Sequence, residues 1–359
     1  MKKNTRRWLG WALGAVVLAL ILLHISRSPQ WKDFQWGKLW SLLIHVNLGL
    51  LLLAIALSLA TLLIRAYRWK FFVDPIKKCS PWVLFNAQAL GFSSIYLVGR
   101  AGEVVRPAYI AKAEDLPFTS QLAVWAIERI YDGISLVILF ALALYFEPIR
   151  ASSAHSLALL RRMHQAAVGI LALSVLLVGC LVVYRVYSEP ILKWLDRALG
   201  RSRFPVKFRN HSLSFLRSFS SGLNVLQDPW DFSASVLCSV LLWTSSVTSL
   251  WLMFRSIGGH LAGFGWWAAA LTAFLAAVGL AVQLPGVGGG YQVAVLLALK
   301  DVFHVPAEGA ASGAILTWVT VMAPCVILGL ILVASGGLSF KKIKLMVDEE
   351  KSEVRAPGA

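Results

Sequence analysis

Three groups of residues have types and spacings that could do chemistry. The first is Gly99-Arg100-Ala101-Gly102-Glu103-Val104-Val105-Arg106-Pro107. Gly99 and Gly102 permit a tight turn and close backbone approach, and Pro107 suits a helix break. Arg100 and Arg106 carry planar, permanently charged forks that match phosphate. Glu103 could hold one of them or meet an amine headgroup. The plainer alternative is a juxtamembrane turn whose arginines meet lipid phosphates. The second group is Glu128-Arg129-Ile130-Tyr131-Asp132, inside an apolar run. Glu128 and Asp132 share a helix face, and Arg129 and Asp132 stand at pairing distance along a helix. Charges at membrane depth cost roughly 2.5–3.5 kcal/mol each when unpaired, so they must face the protein interior or water. They read either as an ion-pair staple or as a polar step for a charged headgroup in a hydrated groove. The third group is Pro285-Gly286-Val287-Gly288-Gly289-Gly290-Tyr291-Gln292. Its successive backbone N–H groups could form an anion-binding nest, or the run could be a helix break made for close packing.

Composition fixes the setting for these groups. Of the 359 residues, 58% are hydrophobic and 14% are charged. With a mean hydropathy of +0.70, this excludes an ordinary soluble domain. A formal net charge of +16 would suggest nucleic acid in a soluble protein. Here it fits positive cytoplasmic loops and anionic lipid headgroups, so membrane lipids are the expected partners and nucleic acid is not. Cys79, Cys180, Cys238 and Cys325 form no metal-ligand or disulfide pattern, and no metal or cofactor is expected. No P-loop, HExxH or GxSxG pattern occurs, and the glycine run lacks the βαβ setting of a dinucleotide site. An enzyme is therefore not expected.

Unbroken apolar stretches at about 8–25, 42–64, 120–146, 166–187, 233–254 and 313–335 are each long enough to span a bilayer. Two further regions, 82–112 and 265–303, are apolar but interrupted by the glycine-rich groups above. At membrane depth such interruptions occur where backbone is buried in protein or lines a wet cavity. With the N-terminus inside, 25 Lys and Arg fall on the inner side and 8 on the outer. This predicts a multi-pass bacterial inner-membrane protein with both termini cytoplasmic. The expected fold is an all-α polytopic transmembrane bundle with two broken, re-entrant helical hairpins. It forms one domain over 1–340, with a basic cytoplasmic loop at 188–231 that includes an amphipathic helix, and a cytoplasmic tail at 341–359.

Residues 97–102 can be laid on 284–289, with a full span before and after each. The charge-derived topology makes the two units, 42–146 and 233–335, run in opposite senses. Inverted repeats with discontinuous helices mark secondary transporters, whose site lies between the repeats.

At Gly99–Pro107, Glu128-Arg129-x-x-Asp132 and Pro285-Gly286-x-Gly288, the chain resembles the lysylphosphatidylglycerol synthase transmembrane family of flippase-like proteins, over about 40–335. Where that family usually continues towards a glutamate, this chain has Gly290-Tyr291-Gln292. The resemblance implies the lipid-translocating module without the soluble synthase domain. The expected function is translocation of a lipid with a charged headgroup: a phospholipid, an aminoacyl-phospholipid or a polyprenyl-phosphate-linked lipid. Arg100, Glu103, Arg106, Glu128, Arg129 and Asp132 would contact the head. The alternative is a non-transporting scaffold for a separate lipid-modifying enzyme or glycosyltransferase. Self-association is left open.

Overall fold

A computed structural model describes residues 34–147, 187–201, 228–280, 283–284 and 288–335, with isolated helical positions between 165 and 184 and between 213 and 217. In chain order its helices are α1 (Trp36–Ile44), α2 (Leu48–Val73), α3 (Pro81–Val98), α4 (Val105–Ala113), α5 (Phe118–Phe146), α6 (Ser188–Arg201), α7 (Pro229–Ile257), α8 (Trp266–Gly279), α9 (Gly290–Leu297) and α10 (Ala307–Ser335). Among the described residues, α2, α5, α7 and α10 are long and apolar enough to cross a membrane, as expected for an all-α membrane protein. The expected span at 8–25 lies outside the described residues, as do about half of 166–187 and the whole tail at 341–359.

Local chemistry explains the helix ends. The Asn47 side chain accepts from the Leu50 N–H at the start of α2, and Asp228 accepts from the Trp230 N–H at the start of α7. Both satisfy amide groups that a helix start leaves without partners. Pro229 follows as the first residue of α7, where a missing N–H costs nothing. Helix α2 runs past the expected end at residue 64, to Val73. Ala66, Trp69, Phe72 and Val73 continue an apolar face that buries against Leu84, Ile110 and Ile127, and this packing carries the helix through Arg65 and Arg68. Inside α10, Pro324 lacks an N–H and would crowd the carbonyl four residues earlier. A wider π-helical turn, Trp318–Met322, takes up that offset.

Helices α2 and α7 form an antiparallel spine. The Asn47 N–H donates to the Ser256 carbonyl at 2.8 Å, the Ser249 hydroxyl to the Ala54 carbonyl at 2.7 Å, and Arg68 to the Ser239 hydroxyl at 3.2 Å. Serines spaced along α7 let the two backbones approach closely.

Each interrupted region is a hairpin. After α3, a 3-10 turn over Gly99–Val104 reverses the chain, and α4 lies back along α3. Gly99 adopts φ +80°, and a Cβ on Gly102 would land on the Ser94–Ile95 peptide. Pro107 sits in the first turn of α4 and does not break it. The second hairpin joins α8 to α9 through β1 (Gln283–Leu284) and β2 (Gly288–Gly289). These pair antiparallel, Gln283 with Gly289 and Leu284 with Gly288. Pro285 and Gly286, between the two strands in sequence, lie outside the described residues. The two hairpins meet, since β1 lies against the 99–104 turn.

The largest apolar core joins α5, α7, α8, α9 and α10, with Phe140 and Phe274 stacked at 4.0 Å between ring centroids. The basic 188–231 region does contain a helix, α6, with Leu192 buried and Trp194 exposed. Near the start of the described chain, α1 is tied to α10 by the Gln35 N–H, which donates to the Glu308 carboxylate at 3.0 Å.

Candidate functional site

Four arginines converge on two carboxylates where α2, α4 and α5 pack together. Glu128 and Asp132 stand one turn apart on the inward face of α5, and both are buried. Arg68 reaches both from α2, with Nη2 at 2.9 Å from Glu128 Oε1 and Nη1 at 2.8 Å from Asp132 Oδ1. Arg106 reaches Glu128 from α4, with Nη2 at 2.7 Å from Oε2. The same guanidinium donates to Gln88 Oε1 at 2.7 Å and lies 4.6 Å from the Trp69 ring centroid. Arg65 Nη1 lies 3.5 Å from a carboxylate oxygen of each acid, and its guanidinium stands 4.9 Å from the centre of the Phe92 ring. Arg129 Nη2 lies 3.3 Å from Glu128 and 3.2 Å from Asp132, so the pairing expected within one helix is present.

Burial sorts these groups. Arg68 is 0% exposed at its side chain and Glu128 is 1% exposed. Arg65 is 13% exposed, while Arg129 is 40% exposed and forms the open edge of the cluster. Buried ions must be paired and hydrogen-bonded to stay charged, and the interlocked forks do this for both acids. The pairing is unbalanced, however: four guanidinium groups surround two carboxylates. Glu103, half-buried, lies within electrostatic reach of Arg129 and offsets only part of the surplus. Arg65 Nη1 and Arg68 Nε make no hydrogen bond among the described residues, and Glu128 Oε2 and Asp132 Oδ1 are held by ion pairs alone.

Glu128, Arg129 and Asp132 thus form an interlocked ion-pair cluster with one open edge. Glu128 is ten residues past the start of α5, and Arg68 is five short of the end of α2. Arg106 is held by Glu128 and Gln88. The backbone of Arg100 lies in the 3-10 turn, and its side chain is outside the description.

Sequence reasoning missed Arg65, Arg68 and Gln88. The available signal was Arg65-x-x-Arg68-Trp69 at helical spacing directly after an apolar run, with more large apolar residues following. Arginines in a cytoplasmic loop have no need of such neighbours.

The second glycine group carries no comparable charge. Gly288 and Gly289 form β2, and Gly290 opens α9. Tyr291 packs against the large apolar core, and Gln292 Nε2 lies 3.1 Å from the Met322 sulfur. These residues contact the α8 and α10 side of the bundle. The second half meets the first hairpin through the contact of β1 with the 99–104 turn and through α10, which packs along α3.

Four apolar helices of spanning length among the described residues, two hairpins and a cluster of buried charge make this an all-α membrane protein. The chain belongs to the family described as the lysylphosphatidylglycerol synthase TM region, which matches residues 7–329. It is also similar to a UPF0104 membrane protein of Pyrococcus horikoshii, 27% identical over 262 residues, covering 68% of this chain and 73% of the relative.

Proposed function

We propose that this protein carries the headgroup of an anionic lipid across the membrane, with the phosphate exchanging among Arg65, Arg106 and Arg129 while the acyl chains stay in lipid. The observation that supports this most directly is the imbalance of four arginines around two acids. In surroundings of low dielectric, surplus positive charge attracts an anion strongly, and a phosphate oxygen would satisfy the guanidinium donors left over. Arg129, at the open edge, is the point of first contact. Glu128 and Asp132 keep the arginines apart and oriented, so the site is preorganised before a lipid arrives. Replacing lost hydration with fixed charges lowers the barrier to moving a polar head through hydrocarbon.

The antiparallel α2–α7 spine and the two hairpins of matching order support an inverted-repeat transporter. The excess of Lys and Arg on one side supports a cytoplasmic membrane location with both termini inside. Direction would come from a gradient, from a partner, or from consumption of the lipid by a separate enzyme on one side.

The test is reconstitution of the full chain in vesicles containing fluorescent phosphatidylglycerol, followed by quenching of the outer-leaflet label. The wild-type protein should expose inner-leaflet label. Arg129→Gln should slow this about tenfold, the loss expected for one charge-assisted hydrogen bond of ~1.5 kcal/mol, with unfolding temperature kept as the control. A folded wild-type protein that moves no lipid would remove the transport reading and favour the scaffold.

A further inference from the structure

The α2–α7 spine carries a second feature, independent of the transport reading. A groove of about 620 Å³ runs between the two helices, lined by Leu63, Tyr67, Ala234, Leu237 and Leu241. Its walls are exposed apolar side chains. By itself this is the surface that any membrane helix pair shows to acyl chains. What sets it apart is its end. At Phe71 and Trp230 the groove opens directly into a polar mouth that contains Lys70, Asp74, Lys78, Asp228 and Asp231. Apolar wall and polar mouth share these two aromatic residues, so they form one continuous depression. From Ala60 to Asp74 the helix rises ~21 Å, at ~1.5 Å per residue, which is most of the depth of one bilayer leaflet with its headgroup region.

The mouth holds both signs of charge, with acids in excess. Lys70 is paired with Asp74 one helical turn away, at 2.5 Å. Asp231 lies within electrostatic reach of Asp228 and Asp74 as well as Lys70. Three carboxylates therefore crowd one side, and one ammonium among them is already engaged. Lys78 is exposed and stands at the same mouth. This pattern suits a headgroup that carries an ammonium for the carboxylates and a phosphate for the lysine. It disfavours a head with negative charge alone. We infer that the α2–α7 groove is a binding site for one phospholipid with an ammonium-bearing headgroup. The acyl chain lies along Leu63 and Leu237, the ammonium sits between Asp228 and Asp231, and the phosphate is near Lys78. The lipid then acts as a wedge against the spine.

The experiment uses the full chain in detergent, offered phosphatidylethanolamine or phosphatidylglycerol, with bound lipid counted by native mass spectrometry. Phosphatidylethanolamine should be retained in preference. Asp231→Asn should reduce that preference by up to about fivefold, the most that one partly exposed ion pair supplies. Leu237→Trp, which fills the groove, should reduce retention of both lipids. If that variant does not fold, Asp231→Asn decides alone. Equal retention of the two lipids by the wild-type chain would overturn the proposal, as would an unchanged preference in Asp231→Asn. Displacement of lipid by a second copy of the chain, seen as a lipid-free dimer closed by this face, would do the same. Loss of lipid movement in the vesicle assay with this preference intact would count against the transport reading alone.

Discussion

The two hairpins share an order of elements and differ in what they hold. Each follows a spine helix, α2 or α7, turns through a glycine-rich break and leads to another spanning helix, α5 or α10. Each is closed by a glycine where a side chain would collide with backbone: Gly102 against the Ser94–Ile95 peptide, Gly279 against the Gly290 carbonyl. Around the first hairpin lie Arg65, Arg68, Arg106, Glu128, Arg129 and Asp132. Around the second lies the main apolar core, with Gln292 turned towards a methionine sulfur. One backbone plan thus carries a charged interior on one side and a hydrocarbon one on the other. The plan is set by glycines and packing, and the charge is added to it.

This contrast can be tested by substitution, with unfolding of the detergent-solubilised protein as the measurement. Glu128→Ala should cost most, ~3–5 kcal/mol, because it takes a counter-charge from four arginines and leaves buried Arg106 with no carboxylate. A near-neutral result would mean that the cluster is wet enough to need no counter-charge. Gly102→Ala and Gly279→Ala should each cost ~1–3 kcal/mol, the range for forcing atoms into a filled interior. Because both hairpins close in the same way, the two losses should agree more closely with each other than with any change in the cluster. A large disparity would break the parallel between the hairpins. Arg129→Gln should change stability by less than ~1 kcal/mol, since its guanidinium is partly solvated, even though lipid movement slows. Gln292→Leu should cost least, ~0.5 kcal/mol or less, because a contact to thioether sulfur is weak. If it costs as much as Glu128→Ala, the second hairpin is not the apolar partner of the first.

Much of the architecture was legible in the sequence, because spans are written in runs of apolar residues. The runs at 42–64, 120–146, 233–254 and 313–335 correspond to α2, α5, α7 and α10. Glycine and proline marked both hairpin turns. The pairing of Arg129 with Asp132 followed from helical spacing alone. What could not be read was the company these residues keep. Arg65 and Arg68 follow the end of an apolar run and look like loop charges. They become interior only because Trp69 and Phe72 bury against α3, α4 and α5, a fact of tertiary packing. Gln88 and Ser239 gained partners in the same way, from helices distant in sequence. The charge-based orientation counted Arg65, Arg68 and Arg106 as inner-side residues. Setting these three aside narrows the asymmetry without reversing it.

The contact between β1 and the 99–104 turn has a mechanical consequence. The 99–104 turn ends the first hairpin, and β1 is a strand of the second. Segments that abut act as the teeth of two gears, so a tilt of either hairpin pushes on the other. A headgroup that prised α4 away from α5 at Arg129 would move the second hairpin as well, and the two halves of the bundle would rock together.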